Sequence, residues 1–340
     1  QERTRLMGWR YAAQFLGGMI ATLGGFAIFF KASAEHPNGV LNPEAYLPFS
    51  LFGAAVIALS LGLCAFGTWP MMAQSRAVQA ASKAPNQTLK MAFRAVMESF
   101  SNPSFRLLIV FSVLTSLAFG MSGALAVYVN TFYWNLASEQ LKLFSLFSPV
   151  AIVLALALTH VIGKTFDKHV AAIGASFGAI TLIPLPFALR EMGLLPANGD
   201  PNLMLILLVT NTLDLAMIIS ATILTSSMVA DIVEDSEIKT GRRDEGVFFS
   251  VRNFAKNAVG GAGVASAGAI LSLVDFPKKA KPGEVPEATI DLLVWTYLPI
   301  FIVMLIIGVL ALSRYQISRS RHNENLVRLE NTRQAGLQVE

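Results

Sequence analysis

Charged residues are scarce in this chain, and cysteine is almost absent. Only 14% of the 340 residues are charged, whereas soluble proteins carry about 25%. The single cysteine, Cys64, excludes a disulfide framework and a metal centre built from several cysteines. A chain with so few charges cannot cover the surface of a soluble protein of this size, so lipid must be the solvent for part of it.

Signatures of catalysis are also missing from the sequence. It contains no phosphate-binding glycine loop, no spacing typical of metal ligands and no nucleophile paired with a base. The glycine-rich segment GGAGVASAG lies inside an apolar run, where helix packing explains it. We therefore expect a protein that is not an enzyme and has neither an organic cofactor nor a metal site.

Long apolar runs dominate what is present. Hydrophobic residues make up 54% of the chain, and the mean hydropathy is +0.56. Eight segments reach the roughly 20 residues that a helix needs to cross a bilayer. They are 11–30, 47–68, 105–134, 143–163, 169–189, 203–230, 247–275 and 288–313. The first, third and seventh contain closely spaced glycines, which let helices approach closely in lipid. The sequence therefore predicts an all-α, polytopic membrane bundle.

Lysine and arginine predict how these segments are oriented. Both residues concentrate in 69–104, in the turn 163–169 and after 314, which fall on one side if eight spans are counted. The positive-inside rule places that side, with both chain ends, in the cytoplasm. The segment PKKAKPGEVPE, residues 277–287, is an exception, because it carries three lysines on the opposite side.

A charge cluster interrupts the apolar pattern between the sixth and seventh segments. The stretch ADIVEDSEIKTGRRDEG, residues 230–246, holds six carboxylates and three cations. We interpret it as a cytoplasmic connection, where charges reach water and headgroups without crossing lipid.

The cluster and its continuation, ADIVEDSEIKTGRRDEGVFFSVRNF, also carry a resemblance. They are similar to the signature between the tenth and eleventh helices of the glycoside–pentoside–hexuronide:cation symporters, the melibiose-permease-like branch of the major facilitator superfamily. The matching positions are Asp231, Glu234, Glu237, Lys239, Thr240, Gly241, Arg243, Glu245, Gly246 and Ser250. ERTRLMGWR, residues 2–10, resembles the start of the family's fifth helix, and VPEATIDLLVWTYLPI resembles the segment before its last helix.

The resemblance implies a major facilitator fold of twelve helices, of which this chain carries helices five to twelve and lacks helices one to four. Residues 1–68 would be the last two helices of the N-terminal half, and 69–104 the central cytoplasmic loop. Residues 105–313 would form the C-terminal six-helix half, and 314–340 a cytoplasmic tail. Two segments before a long loop and six after it fit this arrangement.

The resemblance further implies a secondary active transporter that couples a glycoside, oligosaccharide or hexuronide to Na⁺ or H⁺ by alternating access. We expect it in a bacterial inner membrane, as a monomer with the lipid bilayer, the sugar and the coupling cation as partners and with no nucleic acid. Two alternatives stay open. The chain could carry lysolipids or other amphiphiles on the same fold, or it could be a membrane scaffold that transports nothing.

Asp214 is the first candidate site residue found from the sequence itself. A carboxylate in the middle of a membrane segment costs roughly 2.5–3.5 kcal/mol on insertion scales. Helical spacing places it on one face with mostly polar residues: Asn211, Ile218, Thr222 and Thr225. This face is either the wall of a binding cavity or a stripe of hydrogen bonds between helices.

The seventh segment supplies a second candidate group, Arg252, Asn253, Lys256 and Asn257. Two cations this far into a membrane segment indicate a partner carboxylate or an anionic substrate, unless both extend to the interface. By resemblance, a lysine is expected at the position of Asn257, whereas Lys256 lies one residue earlier. One residue turns a side chain by about 100° around a helix.

The resemblance adds the remaining candidates. Arg10 would help to shape the sugar site, although an interfacial anchor is an equally simple reading. Asp231, Glu234 and Arg243 would belong to an ion-pair network that closes the cytoplasmic mouth, with Arg3 as their partner from the other half. The alternative for this gate is a solvated loop that contacts headgroups.

Overall fold

The computed structural model describes residues 17–18, 20–31, 33, 39–81, 94, 96–241, 244–278 and 280–337. No strand occurs among these residues, and the described part of the chain is built from helices and their connections. The chain divides into two compact units, Gln1–Ala92 with Ala137–Leu146, and Phe93–Leu136 with Phe147–Glu340.

Among the described residues of the first unit, one long helix, α1 (Tyr46–Ala81), lies entirely within the unit. A π-helical turn, Gly25–Phe29, and two short 3-10 turns, Gly39–Leu41 and Pro43–Ala45, precede it. Phe30 packs against α1, with its ring centroid 5.1 Å from that of Phe49. The helix continues to Ala81, beyond the predicted end of the second span at residue 68, so the beginning of the segment 69–104 is helical.

The second unit holds most of the described helices. Helix α3 (Ser138–Thr165) begins in the first unit and continues in the second. The others are α2 (Pro103–Tyr128), extended by the π-helical turn Val129–Tyr133, α4 (Lys168–Leu182), α5 (Leu185–Glu191), α6 (Pro201–Thr240), α7 (Glu245–Leu273), α8 (Glu287–Leu312) and α9 (Arg319–Leu337).

The prediction of a polytopic membrane protein is confirmed. Within the described residues, six helical segments are long and apolar enough to cross a membrane. They are Pro43–Met71, Pro103–Tyr133, Ser138–Thr165, Lys168–Glu191, Pro201–Thr240 and Glu287–Leu312. Each corresponds to one of the eight predicted spans. Helix α7 is 29 residues long but less apolar, because it is rich in glycine and polar residues. The count of eight spans therefore stays a prediction.

Two boundaries differ from the sequence-based expectation. Helix α6 runs to Thr240 rather than ending near residue 230, so Asp231 and Glu234 lie on a helix and not in a connection. The helix ends where Gly241 adopts a left-handed φ of 68° and donates its N–H to Glu237 O. Charged residues lower the hydropathy after residue 230, but Glu and Lys are good helix formers. The helix therefore continues beyond the end of the apolar run. The predicted span 169–189 is likewise broken between α4 and α5, at Pro184.

Helices α2 and α7 pack at close range through glycine, as the small residues predicted. A Cβ added to Gly120 would lie 2.3 Å from Gly260 O, and one added to Gly263 would lie 2.3 Å from Leu117 O. Gly123 and Gly268, by contrast, face open space. Only part of the glycine pattern therefore serves packing between these helices.

Candidate functional site

A cavity of about 510 Å³ lies within the second unit, among α2, α4, α6, α7 and α8. Binding sites for small molecules usually occupy roughly 300–1,000 Å³. The polar side chains that line it are Ser112, Thr115, Ser116, Ser176, Thr222, Thr225, Arg252, Lys256 and Asn257. Apolar residues form the rest of the wall, among them Phe111, Phe119, Ile180, Ile218, Leu305 and Val309. A ligand that presents both hydroxyl groups and an apolar face suits such a lining.

Arg252 is the most firmly positioned polar group of the cavity. Its side chain is buried, and the residue is only 7% exposed. Three hydroxyl groups from two other helices accept hydrogen bonds from it: Ser112 Oγ at 3.3 Å, Ser226 Oγ at 3.1 Å and Thr225 Oγ1 at 3.1 Å. The guanidinium is therefore held in one direction before any ligand arrives.

The hydroxyls that hold Arg252 are themselves fixed. Thr225 Oγ1 donates to Ala221 O at 2.8 Å, and Ser226 Oγ donates to Thr222 O at 2.7 Å. Each hydroxyl thus gives its proton to the backbone of α6 and offers a lone pair to the guanidinium. This arrangement makes the position of Arg252 depend on the packing of α6 against α7.

Lys256 and Asn257 both line the same cavity, and both are exposed. Arg252 and Lys256 are four residues apart, so they lie on successive turns of one helix face. The one-residue offset between Lys256 and the position expected from the resemblance therefore does not take the ammonium out of the cavity.

The structure brings together four of the residues predicted to bind substrate, namely Thr222, Arg252, Lys256 and Asn257. Asn211, Asp214 and Asn253 are not among the residues that line the cavity. Asp214 is partly buried, whereas Asn211 and Asn253 are exposed. Arg10 lies outside the described residues. For all eight residues, the role in substrate binding stays a prediction.

The sequence analysis did not identify the hydroxyl groups that α2 contributes to the cavity lining. They belong to Ser112, Thr115 and Ser116. A signal was available, because these residues are three and four positions apart and share a helix face. The spacing is easy to overlook, since serine and threonine in membrane helices commonly bond to their own backbone, as Thr115 Oγ1 does to Phe111 O at 2.8 Å.

A second polar group, the α6-end cluster, consists of Lys168, Asp231, Glu234, Asp235, Arg321 and His322. Asp231 is 4% exposed, and Lys168 Nζ lies 2.6 Å from its Oδ1. His322 Nδ1 lies 2.9 Å from Glu234 Oε2. Asp235 is equally buried, and its carboxylate accepts hydrogen bonds from Arg321 at 3.1 Å and from Lys239 at 2.6 Å. Asn102, which caps α2, adds a bond of 3.2 Å to Asp235.

The structure describes two of the four residues predicted to form the cytoplasmic gate. Asp231 forms an ion pair with Lys168, and Glu234 lies beside His322, whereas Arg3 and Arg243 lie outside the described residues. The partners that the structure shows come from α4 and α9 of the same unit. Closure of the mouth by Arg3 therefore stays a prediction. Sequence reasoning missed Lys168 and His322 as partners, because nothing local in the chain connects them to α6.

Tyr315 anchors the segment between α8 and α9 beside this cluster. Its hydroxyl donates to Met228 O at 3.2 Å, and the residue is buried. Burial, together with the nearby carboxylates Asp231 and Asp235, raises the pKa of Tyr315 far above its ordinary value. The phenol therefore stays protonated at physiological pH and keeps its role as a donor.

Residues 1–319 match the family model described as MFS/sugar transport protein. No curated protein matches the chain. The matched range includes every residue that lines the cavity and stops at Arg319, where α9 begins.

Proposed function

Because the chain belongs to the MFS/sugar transport protein family, we propose that it moves a sugar across the membrane together with Na⁺ or H⁺ by alternating access. Members of this family are transporters and not enzymes. The proposal adds that the eight membrane segments correspond to helices five to twelve of a twelve-helix fold. It also places the protein in a bacterial inner membrane, with both ends of this chain in the cytoplasm, in line with the distribution of lysine and arginine.

The proposed substrate is a glycoside that carries a carboxylate, such as a hexuronide. The observation behind this choice is the pairing of Arg252 and Lys256 on one face of a cavity otherwise lined by hydroxyl groups. A guanidinium fork suits a carboxylate or paired hydroxyls, and an ammonium adds a second positive charge. The hydroxyls of α2 and α6 would bind the sugar ring, and Phe111 and Phe119 would cover its apolar face.

A carrier of lysolipids is the second candidate, because apolar side chains such as Leu305 and Val309 form one side of the same cavity. The two candidates differ in what they need from the cavity. A lysolipid requires an apolar path for its chain, whereas a hexuronide requires the two cations. The hydroxyl groups that line the cavity beside the two cations therefore favour the sugar acid.

Counterflow tests the proposal directly. Liposomes that contain the full-length protein are loaded with an excess of unlabelled hexuronide. They should then accumulate labelled hexuronide faster than they accumulate a labelled neutral glycoside. Empty liposomes are the control. Movement of a labelled lysolipid without movement of sugars would support the second candidate, and no movement of any compound would contradict transport altogether.

Asp214 is proposed to act in ion coupling rather than in contact with the sugar, because it lies in a membrane segment but does not line the cavity. Replacing it by asparagine should preserve counterflow, which needs no ion gradient, and should abolish accumulation driven by one. The physical reason is that an amide cannot carry a proton or a negative charge. The matched control is Thr212→Ser, which keeps the bond from Thr212 Oγ1 to Leu208 O. Gradient-driven accumulation at the parental level in Asp214→Asn would remove Asp214 from coupling.

A further inference from the structure

Metal-ligating side chains converge at the end of α6, away from the residues that line the cavity. Asp231 and Glu234 lie one turn apart on α6, and His322 reaches them from α9. One ligand atom from each of the three residues lies within 4.8 Å of the other two. His322 Nδ1 is 2.9 Å from Glu234 Oε2 and 3.4 Å from Asp231 Oδ1.

We propose that Asp231, Glu234 and His322 bind one divalent transition-metal ion, with Zn²⁺ as the best fit. Zinc lies about 2.0–2.2 Å from imidazole nitrogen and carboxylate oxygen, so adjacent ligand atoms in a tetrahedral site are about 3.3–3.5 Å apart. The 3.4 Å from Nδ1 to Asp231 Oδ1 matches that spacing, and the 2.9 Å from Nδ1 to Glu234 Oε2 is shorter by about half an ångström. One imidazole with two carboxylates is a ligand set that suits zinc, and water would complete the coordination.

The environment of His322 Nδ1 supports a cation at this point. The atom is buried and forms no hydrogen bond within the described residues, although Glu234 Oε2 is 2.9 Å away. A contact this short without hydrogen-bond geometry means that the nitrogen is not aimed at the oxygen. Ligand atoms that surround one ion have this arrangement, and a buried nitrogen without a partner otherwise costs free energy.

Lys168 does not block the site. Its Nζ lies 2.6 Å from Asp231 Oδ1, the same oxygen that lies 3.4 Å from His322 Nδ1, but each oxygen of an ionised carboxylate has about two lone-pair sites. The ammonium and the metal can therefore share Asp231, as ligating carboxylates are commonly hydrogen-bonded by a further group. Asp235 has separate partners in Lys239 and Arg321 and is not needed as a ligand.

Metal binding would hold α9 against α6, because the ligands come from both helices. Tyr315 and Arg321 already attach this part of the chain to α6. The sequence did not predict a metal site, since the histidine and the carboxylates are far apart in the chain. His322 also lies beyond residues 1–319, the range that the family model matches. The inference is independent of which substrate is transported.

Calorimetric titration tests the site. The purified full chain, stripped with a chelator and dialysed, should bind one Zn²⁺, and Co²⁺ in its place should give the intense visible absorption of a tetrahedral nitrogen–oxygen site. His322→Gln should weaken binding at least about tenfold, because losing even an outer-shell partner of a metal ligand costs about 10–100-fold. The control is His160→Gln, which removes an exposed histidine outside the cluster and should bind like the parent.

Two further variants separate ligation from folding. His322→Cys retains a metal ligand and should bind Zn²⁺, whereas Glu234→Gln should bind more weakly than the parent. Bound Zn²⁺ should also slow trypsin cleavage within α9 of the parent but not of His322→Gln. The absence of binding by the parent would overturn the proposal. Equal affinities of the parent and His322→Gln would overturn it as well.

Discussion

Replacing Arg252 with leucine should abolish uptake of an acidic sugar while leaving the protein folded in the membrane. The guanidinium is the best-positioned charge in the cavity, with Ser112, Thr225 and Ser226 around it. A hydrogen bond to a charged group contributes about 1.5–3 kcal/mol, which corresponds to a loss of roughly 10- to 150-fold in affinity for each bond to the substrate. Folding should survive, because Thr225 and Ser226 keep their bonds to the backbone of α6.

The measurement is counterflow across a range of substrate concentrations, with thermal stability followed in parallel. Arg252→Lys should be intermediate, since it keeps the charge but loses the planar fork. Phe254→Leu is the matched control, because Phe254 lies on the same helix, is 76% exposed and does not line the cavity. Parental uptake in Arg252→Leu would show that Arg252 does not contact the substrate. A drop in stability without a specific loss of affinity would assign it a structural role.

Substituting Gly263 by alanine should have the largest effect on stability of any single methyl group added to α7. The new Cβ would lie 2.3 Å from Leu117 O and 3.0 Å from Met121 N, both of which are backbone atoms of α2. Side chains can change rotamer to relieve such contacts, but backbone atoms can move only if the helices separate. Overpacking of this kind typically costs about 1–3 kcal/mol. The melting temperature of the purified protein should fall accordingly.

Gly261 supplies the control on the same helix, two residues away, because no atom lies within 4 Å of a Cβ added there. Gly261→Ala should leave stability unchanged or raise it, since alanine is a better helix former than glycine by about 1 kcal/mol. Gly263→Ala should therefore lower the melting temperature, whereas Gly261→Ala should not. Equal melting temperatures for both variants would contradict the close approach of α2 and α7.

Separation of α2 from α7 should also disturb the cavity, because Gly120 and Gly260 line it at the same contact. The glycines thus contribute to ligand binding indirectly, because they set the distance between α7, which carries Arg252, and α2, which carries Ser112. The sequence predicted close packing from the glycine pattern, but it could not distinguish Gly263, which makes the contact, from Gly268, which faces open space.

The sequence by itself determined the class of this protein and much of its organisation. Scarce charge and long apolar runs predicted a helical membrane protein, and the charged motif at 230–250 indicated the sugar-transporting branch of the major facilitator superfamily. These properties are local, because hydropathy, helix length and a short motif each depend on neighbouring residues. The positions of Arg252 and Lys256 on one face follow from the same local geometry.

Tertiary structure alone decided which residues meet. Arg252 reaches Ser112 across 140 positions of the chain, and Lys168 reaches Asp231 across 63. It also left Asp214 outside the cavity lining, although Asp214 shares a helix with Thr222 and Thr225. The physical reason is that lipid is as apolar as the interior of a helix bundle, so hydrophobic periodicity marks no inner face. The rotation of each membrane helix is set by packing and hydrogen bonds with its neighbours, which exist only once the chain has folded.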